Sequence, residues 1–258
     1  MVIKKFVSLF RSTGFKVIAF LALLATSVLI ALAMLLGNEA GQFVIRVRDE
    51  SLVKSIALTT DLDNSDSYVS TLQAPGMSSF ADYSASYFIK LGYNDLDEIT
   101  AQTGQYVKDG NCLYVYTFYI VNTTEDGSNV GVDVAMNNSK VTKDVDKAIR
   151  VMTYAYSTST SVPEIYQATE SDGTEIDYVK DYGYVIEPVL FKEQNVDGGI
   201  VFDEQHYTIG STASESASKI NYMKYSVFFW LEGNDPECRE DIIGGGTIKF
   251  DLTVSVSM

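Results

Sequence analysis

Apolar and polar residues alternate over much of the chain that follows residue 40. The clearest case is Thr247–Val256, in which every second residue is apolar and Lys, Asp, Thr and Ser stand between them. Successive side chains of a β-strand point to opposite faces, so this period of two predicts a strand with one buried and one solvated face. The predicted buried face consists of Ile248, Phe250, Leu252, Val254 and Val256.

One segment breaks the alternation because nearly all of its residues are apolar or aromatic. Cys112–Asn122 has the sequence CLYVYTFYIVN, which is rich in β-branched and aromatic side chains. Such a composition favours a central strand that is covered on both faces. The polar stretch after it contains Asp126-Gly127, and alternation resumes at Val130–Met136. Because Asp-Gly is typical of tight turns, the sequence predicts a β-hairpin between these two strands.

Further stretches follow the same rules. Strands are also predicted at 42–48, 54–59, 148–156, 184–190, 199–202 and 222–231. Many short strands with polar connections predict an all-β fold, specifically a jelly-roll-like β-sandwich that occupies residues 37–258 as one domain.

Few segments favour other structure. Short helices are predicted at Asp95–Gln102 and at Pro236–Ile242, the second with Asp235 as its N-cap and Pro at the first helical position. Residues 60–86 and 203–220 are rich in Ser, Asp and Ala and have no hydrophobic period, so we expect long loops there.

The front of the chain carries a different pattern, an uninterrupted apolar run. Val17–Leu36 contains no charged residue, Pro or Gly. At about 1.5 Å per residue, a helix of this length spans the roughly 30 Å hydrocarbon core of a bilayer. Basic residues precede the run and stay on the cytoplasmic side, which sets its orientation. These basic residues are Lys4, Lys5, Arg11 and Lys16.

This arrangement predicts a single-pass protein of the cell membrane with its N-terminus inside. Residues 1–16 are expected in the cytoplasm, residues 17–36 in the membrane and residues 37–258 outside the cell. Ala31-Leu32-Ala33 has the small-x-small form that signal peptidases cleave, but three more apolar residues follow it. We therefore expect a retained anchor, and secretion after cleavage is the alternative.

Charge and composition narrow the function classes. The chain has 34 acidic and 19 basic residues, a formal net charge of −15. An acidic surface does not favour nucleic acid, so we expect no nucleic-acid partner. The single histidine, His206, is expected to be a surface or half-buried residue, and no nucleophile motif or metal-binding pair of cysteines occurs. The sequence therefore predicts no catalytic residue and no organic cofactor.

One acidic segment has the residue types of a calcium loop. Asp61-Leu62-Asp63-Asn64-Ser65-Asp66 places oxygen-bearing side chains at alternating positions. Hard cations prefer oxygen ligands, so Asp61, Asp63 and Asp66 are the predicted ligands of a Ca²⁺ ion. The fixed Gly and the terminal Glu of an EF-hand loop are absent, and an exposed acidic turn is the alternative.

The two cysteines, Cys112 and Cys238, both fall in the predicted extracytoplasmic domain. A disulfide persists in that compartment, so a Cys112–Cys238 bridge is one prediction. Two buried free thiols are the other, and the sequence leaves both open because it does not give the distance between the two residues.

A resemblance rests mainly on Trp230–Cys238, which reads WLEGNDPEC and is followed by IIGG at 242–245. With Ala148–Val151 and Tyr116–Asn122, it resembles a family of uncharacterised exported proteins of Gram-positive bacteria. More distantly, residues 37–258 are similar to the family of camelysin and the biofilm-fibre protein TasA. The resemblance implies a jelly-roll domain behind an export segment and assigns no chemistry to any residue. That family's export segment is removed, whereas we expect the present one to be retained.

These features predict a non-enzymatic cell-surface protein for adhesion, matrix or surface assembly. It would act by self-association or by contact with other surface proteins, and strand addition at an exposed sheet edge is one expected mode. A metal-dependent extracellular hydrolase is an alternative, suggested by the acidity and by the protease label of camelysin. A ligand-sensing ectodomain is another, and it requires a sizeable apolar pocket.

Overall fold

Strands dominate the part of the chain that the structure describes. The structure is a computed structural model that describes residues 43–48, 55–76, 82–83, 96, 98–108, 112–124, 128–156, 163–168, 189–193, 198–210, 221–233, 235–243 and 245–257. All of them belong to one compact unit, Gly41–Met258. The membrane helix predicted at 17–36 lies outside the described residues. Within those residues, no helix is long and apolar enough to cross a membrane.

Five strands form the first sheet, which we call sheet 1. They are β1 (Phe43–Val47), β3 (Thr71–Ala74), β7 (Val130–Ser139), β11 (Gly198–Ile209) and β13 (Lys249–Val256). Their spatial order is β11-β7-β13-β1-β3. Neighbours are antiparallel except for β1 and β13, which run parallel. Burial alternates along β7 and β13, so one face of sheet 1 lies on the core and the other meets solvent.

Eight strands form the second sheet, which we call sheet 2. They are β2 (Ile56–Thr59), β4 (Asp82–Tyr83), β5 (Gly104–Val107), β6 (Tyr114–Asn122), β8 (Ile149–Tyr156), β9 (Glu164–Gln167), β10 (Val189–Leu190) and β12 (Tyr222–Glu232). The main order is β10-β9-β8-β12-β6-β2, while β4 pairs with β12 and β5 pairs with β6.

Helices are short wherever the structure describes them. A 3-10 turn lies at Ser65–Ser67, α1 (Val145–Ala148) leads into β8, and α2 (Glu240–Ile243) lies between β12 and β13. The short helix predicted at Asp95–Gln102 is confirmed, because Leu96, Glu98 and Ile99 are helical and the Thr100 N–H bonds the Leu96 carbonyl at 2.9 Å.

The two sheets pack face to face and enclose a core of interlocking side chains. The Phe229 ring of sheet 2 lies 5.1 Å from Phe43 and 4.7 Å from Phe250, both of sheet 1. Such aromatic pairs add about 0.5–1.5 kcal/mol each beyond the area that they bury. The predicted all-β sandwich is therefore confirmed.

Sheet 2 is covered on both of its faces. Its outer side carries a second buried cluster, in which Leu113 and Val115 of the β6 region pack with Phe228, Trp230 and Leu96. The near-continuous apolar composition of β6 reflects this double burial, and every residue of the strand except Tyr119 is buried. The predicted central strand is confirmed.

The predicted hairpin at Asp126-Gly127 is wrong. β6 lies in sheet 2 and β7 lies in sheet 1, so the polar stretch between them joins the two sheets. Both sides of β7 are occupied by other strands, β11 and β13, which pair with it in register along most of its length. A local turn signal does not reveal that more distant strands have taken those pairing positions.

Two predicted loops contain strands. Residues 203–209 belong to β11 and 71–74 form β3. In β11 the inward positions include Gln205, so a polar residue stands where the hydrophobic period requires an apolar one. The polar Gln205 therefore hides the alternation in the sequence. β3 is only four residues long and has one buried residue, Ala74, which leaves too little pattern to detect.

Candidate functional site

Three titratable side chains meet on the solvent face of sheet 1, and we call them the outer triad: Asp133, Glu204 and His206. Antiparallel pairing of β7 with β11 places His206 directly opposite Asp133. Glu204 lies two residues before His206 on the same strand and projects to the same face. One ligand atom from each residue lies within 4.8 Å of the other two, and both nitrogen and oxygen donors are present.

Asp133 is the fixed member of the outer triad. Its Oδ1 lies 2.5 Å from Nδ1 of His206 and accepts a hydrogen bond of 2.5 Å from the Ser257 hydroxyl. The side chain of Asp133 is 18% exposed, whereas those of His206 and Glu204 are 66% and 51% exposed. Glu204 Oε2 lies 3.4 Å from Nε2 of His206. The imidazole therefore stands between two carboxylates, one held by the sheet and one open to solvent.

A second polar group lies between the sheets and centres on Gln205, the inward neighbour of the outer triad. Its Nε2 is 3.0 Å from Thr153 Oγ1, 2.7 Å from Glu164 Oε2 and 2.8 Å from the Tyr166 hydroxyl. Since an amide nitrogen has two hydrogens, these three acceptors share two bonds. All of these partners belong to sheet 2, so the side chain of Gln205 joins sheet 1 to sheet 2 by hydrogen bonds at this point.

Two phenols complete this inter-sheet group. The Tyr207 and Tyr225 hydroxyls donate to Oε1 of Gln205 at 3.0 Å and 2.6 Å. Burial raises the pKa of both phenols, and it also raises that of Tyr166, whose hydroxyl lies 2.5 Å from Glu164. Each phenol is therefore held in its neutral form, in which it can donate.

The WLEGNDPEC stretch surrounds a buried ion pair. Arg150 and Asp235 have side chains 0% and 1% exposed, and Nη2 lies 2.5 Å from Oδ2. Arg150 also donates to the carbonyls of Lys147 and Ile149 at 3.1 Å and 3.2 Å. Arg150 lies opposite Trp230 across the β8–β12 ladder. The cation held by this acidic stretch is thus the guanidinium of β8.

Trp230, Glu232 and Asp235 of the stretch also make local hydrogen bonds. Trp230 Nε1 donates to Glu232 Oε2 at 3.1 Å, and both side chains are buried. Asp235 Oδ1 accepts from the Glu237 N–H at 2.8 Å, as an N-cap does. The predicted helix from Pro236 is wrong in its start, because the chain first makes a turn closed by the Cys238 N–H and the Asp235 carbonyl at 2.9 Å. Helix α2 begins only at Glu240.

The predicted calcium ligands lie in a loop that is closed by its own side chains. Asp61 Oδ1 accepts from the Asp63 N–H and Asn64 Oδ1 accepts from the Asp66 N–H, both at 3.1 Å. Within the described ranges, three ligand groups converge at the outer triad and not at Asp61, Asp63 and Asp66. The calcium site stays a prediction.

The two cysteines are half-buried and lie at the same end of sheet 2. Cys112 precedes β6 at the end where Tyr114 pairs with Phe229, and Cys238 belongs to the turn that follows β12. Cys238 packs against the main core. Their disulfide stays a prediction.

Sequence reasoning placed His206 at the surface and missed its two carboxylate partners. Glu204 could have been found, because two residues separated by one position share a face of any strand. Asp133 could not, since its pairing with His206 depends on a register between strands far apart in the chain. No protein-family model, no curated protein and no solved structure matches this chain.

Proposed function

We propose that the chain is a membrane-anchored protein of the cell surface that acts through contacts with other proteins or with copies of itself and is not an enzyme. In this proposal residues 17–36 anchor the chain with the N-terminus inside, and the β-sandwich lies outside the cell. Cleavage of the anchor and release of the sandwich is the alternative.

The observation that carries this proposal is the bonding of the interior polar groups. The amide of Gln205 bonds four neighbouring hydroxyl side chains and a carboxylate, and the guanidinium of Arg150 bonds Asp235 and backbone carbonyls. Such bonds fix the side chains that make them and favour a rigid scaffold, and the useful surface is then the exterior.

The exterior feature that supports assembly is β11. This strand of 12 residues stands at one end of sheet 1 and pairs with β7 along its length. On its other side, among the residues that the structure describes, the backbone bonds are those of Ile200 and Val201 with Lys192 and Glu193. An edge of this kind accepts an added strand from a partner.

The finer fold assignment belongs to the same proposal. Consecutive strands repeatedly change sheet, as in the steps from β6 to β7, from β7 to β8, from β11 to β12 and from β12 to β13. A jelly roll requires such crossings, which favours a jelly-roll-like sandwich over a meander. This topology also agrees with the resemblance to exported Gram-positive proteins, which we retain as a proposal.

A concentration series of the purified full chain in detergent micelles tests the assembly role, with self-association followed by analytical ultracentrifugation. Thr208 on β11 and Thr71 on β3 are exposed threonines on the two end strands of sheet 1. Thr208→Asp adds a carboxylate to the exposed face of a strand that already carries Glu204, so two β11 edges brought together would repel each other more strongly. This change should therefore weaken association, and the matched Thr71→Asp should not. Equal effects of both changes, or a monomer at every concentration, would argue against β11 as the contact.

One observation supports the hydrolase alternative: the outer triad offers nitrogen and oxygen ligands for a metal ion on an open surface. The full chain is incubated with casein and with cell-wall polysaccharide, with and without added Zn²⁺. We expect no turnover. Turnover that needs the metal and disappears in His206→Ala would replace the proposed function with a metal-dependent hydrolase.

A further inference from the structure

The outer triad places the second ring nitrogen of His206 against a second carboxylate. Asp133 Oδ1 lies 2.5 Å from Nδ1, and a carboxylate accepts hydrogen bonds, so the Nδ1 edge of the ring is occupied by Asp133. The other nitrogen, Nε2, faces the Glu204 carboxylate at 3.4 Å. An imidazole nitrogen and a carboxylate oxygen, both of them metal-ligand types, therefore lie side by side on the exposed face of the sheet.

We propose that His206 Nε2 and the Glu204 carboxylate bind a divalent transition-metal ion of the Zn²⁺ type, with Asp133 fixing the orientation of the imidazole. This inference is independent of the proposed assembly role.

The spacing of the two proposed ligand atoms fits tetrahedral coordination. Bonds of Zn²⁺ to imidazole nitrogen and carboxylate oxygen measure about 2.0–2.2 Å, so two ligand atoms of one tetrahedral ion stand about 3.3–3.5 Å apart. His206 Nε2 and Glu204 Oε2 stand 3.4 Å apart. The separation of the two atoms therefore matches that of two ligands of one tetrahedral ion.

Asp133 supplies the support that a metal-binding histidine normally has. Such a histidine donates its other ring N–H to a carboxylate, which fixes the ring and raises its basicity. Asp133 does this from β7, and it is itself held by the Ser257 hydroxyl at 2.5 Å. Because Asp133 and His206 are a registered cross-strand pair, the sheet holds the imidazole in place before any ion arrives.

The ligand types decide the class of ion. One imidazole and one carboxylate favour zinc or copper, whereas Ca²⁺ and Mg²⁺ prefer sites built of oxygen alone. The exposure of His206 and Glu204 leaves the remaining coordination positions to water or to a side chain of a neighbouring molecule. The site therefore belongs to a class with two protein ligands and open positions.

Because the chain has one histidine, the binding atom can be observed directly. The full chain is made without a polyhistidine tag, with isotope label only in the histidine ring, and is kept in detergent micelles. Zn²⁺ is added during NMR detection of the ring, and a chromophoric chelator in a parallel series reports affinity. We expect one equivalent of Zn²⁺ to shift the ring signals, and Ca²⁺ at the same concentration to leave them in place.

Variants separate this site from zinc bound elsewhere. His206→Ala and Glu204→Gln should each weaken the one-equivalent binding by at least about 10-fold, and Asp133→Asn should weaken it by about 10- to 100-fold through loss of ring support. The matched control is Asp203→Asn, which removes a neighbouring exposed carboxylate of β11 that pairs with Lys192. It should leave the affinity unchanged. Unshifted ring signals, or zinc affinity that survives His206→Ala, would overturn the proposal.

Discussion

Two close contacts between a nitrogen side chain and a carboxylate have the same length in this molecule and opposite surroundings. Arg150 and Asp235 lie 2.5 Å apart with side chains 0% and 1% exposed, and His206 and Asp133 lie 2.5 Å apart with side chains 66% and 18% exposed. Each pair joins segments that are distant in sequence. The distance between the bonded atoms therefore does not distinguish the two pairs, whereas the access of water to them does.

The surroundings of each pair determine what it is able to do. Arg150 has lost its water and must keep every protein partner, since an unpaired buried charge is very costly. His206 keeps much of its hydration, so its pairing with a carboxylate adds little stability and its exposed ring is accessible to a ligand. The interior pair serves the fold, while the outer pair is available for binding.

The largest effect should follow from removing one partner of the interior pair. Asp235→Ala leaves the Arg150 guanidinium buried without its carboxylate and also removes the acceptor for the Glu237 N–H. We expect a loss of about 3–5 kcal/mol in the free energy of unfolding. Denaturant unfolding of the purified protein, followed by circular dichroism, measures it.

The matched control removes both charges. Arg150→Met combined with Asp235→Leu leaves no buried charge, so the double variant should recover most of the stability lost by Asp235→Ala. If the double variant were as unstable as the single one, the packing of the turn after β12 would matter more than the charge. The interior pair would then not be distinguished from the outer pair by its buried charge.

The next effect concerns the inter-sheet group around Gln205. Gln205→Leu has nearly the same volume but leaves the Tyr207 and Tyr225 hydroxyls without their common acceptor. A buried hydroxyl that is left without an acceptor costs about 1–3 kcal/mol, so we expect a loss of about 3 kcal/mol in the free energy of unfolding. Tyr225→Phe, which removes a single donor, should cost about 1 kcal/mol. If Gln205→Leu and Tyr225→Phe lowered the free energy of unfolding equally, Gln205 would not be the shared partner of several buried hydroxyls.

Alkaline pH offers a third test of the interior. Burial raises the pKa of Tyr166, Tyr207 and Tyr225 above that of an unfolded tyrosine, which is about 10. Above that pH the unfolded chain releases protons that the folded chain retains, so stability that is fully present below pH 10 falls as the pH rises. Each such tyrosine contributes a slope of about 1.4 kcal/mol per pH unit.

Tyrosinate absorbance near 295 nm checks this prediction alongside denaturant unfolding at several pH values above 10. Tyr225→Phe should reduce the slope by the share of one tyrosine. Tyrosinate absorbance from these three residues in a chain that is still folded would show that water reaches the inter-sheet group.

The same contrast explains how much of the molecule could be predicted. β6 was predicted because its near-continuous apolar sequence indicates burial on both faces, and β13 because its alternation indicates burial on one face. β11 was missed beyond residue 202 because its inward Gln205 is polar, and a polar residue is tolerated there only because distant tyrosines bond it. Local pattern therefore finds strands whose neighbours are apolar and loses those that are stabilised by distant polar partners.

Site prediction has the same limit. The WLEGNDPEC stretch stood out in the sequence, and Asp235 does bond a following backbone N–H as predicted, although the helix predicted from Pro236 begins only at Glu240. Its central contact could not be predicted, because Arg150 reaches Asp235 only through the pairing of β8 with β12. The outer triad needed the register of β7 with β11 in the same way. The residue types were visible in the sequence, and their convergence is a property of sheet topology.

The smallest effect should follow from removing the histidine of the outer pair. His206→Ala leaves Asp133 near solvent and still bonded by the Ser257 hydroxyl, so no charge is stranded in the interior. We expect unfolding free energy to change by less than about 1 kcal/mol, as is usual for exposed pairs. Denaturant unfolding in the presence of a chelator measures this change without any contribution from bound metal. Asp133→Ala is the companion variant and should cost slightly more, because Ser257 also loses its acceptor. A loss above about 2 kcal/mol in His206→Ala would show that the outer pair stabilises the β7–β11 ladder as the interior pair stabilises its own turn, and the two would no longer differ in kind.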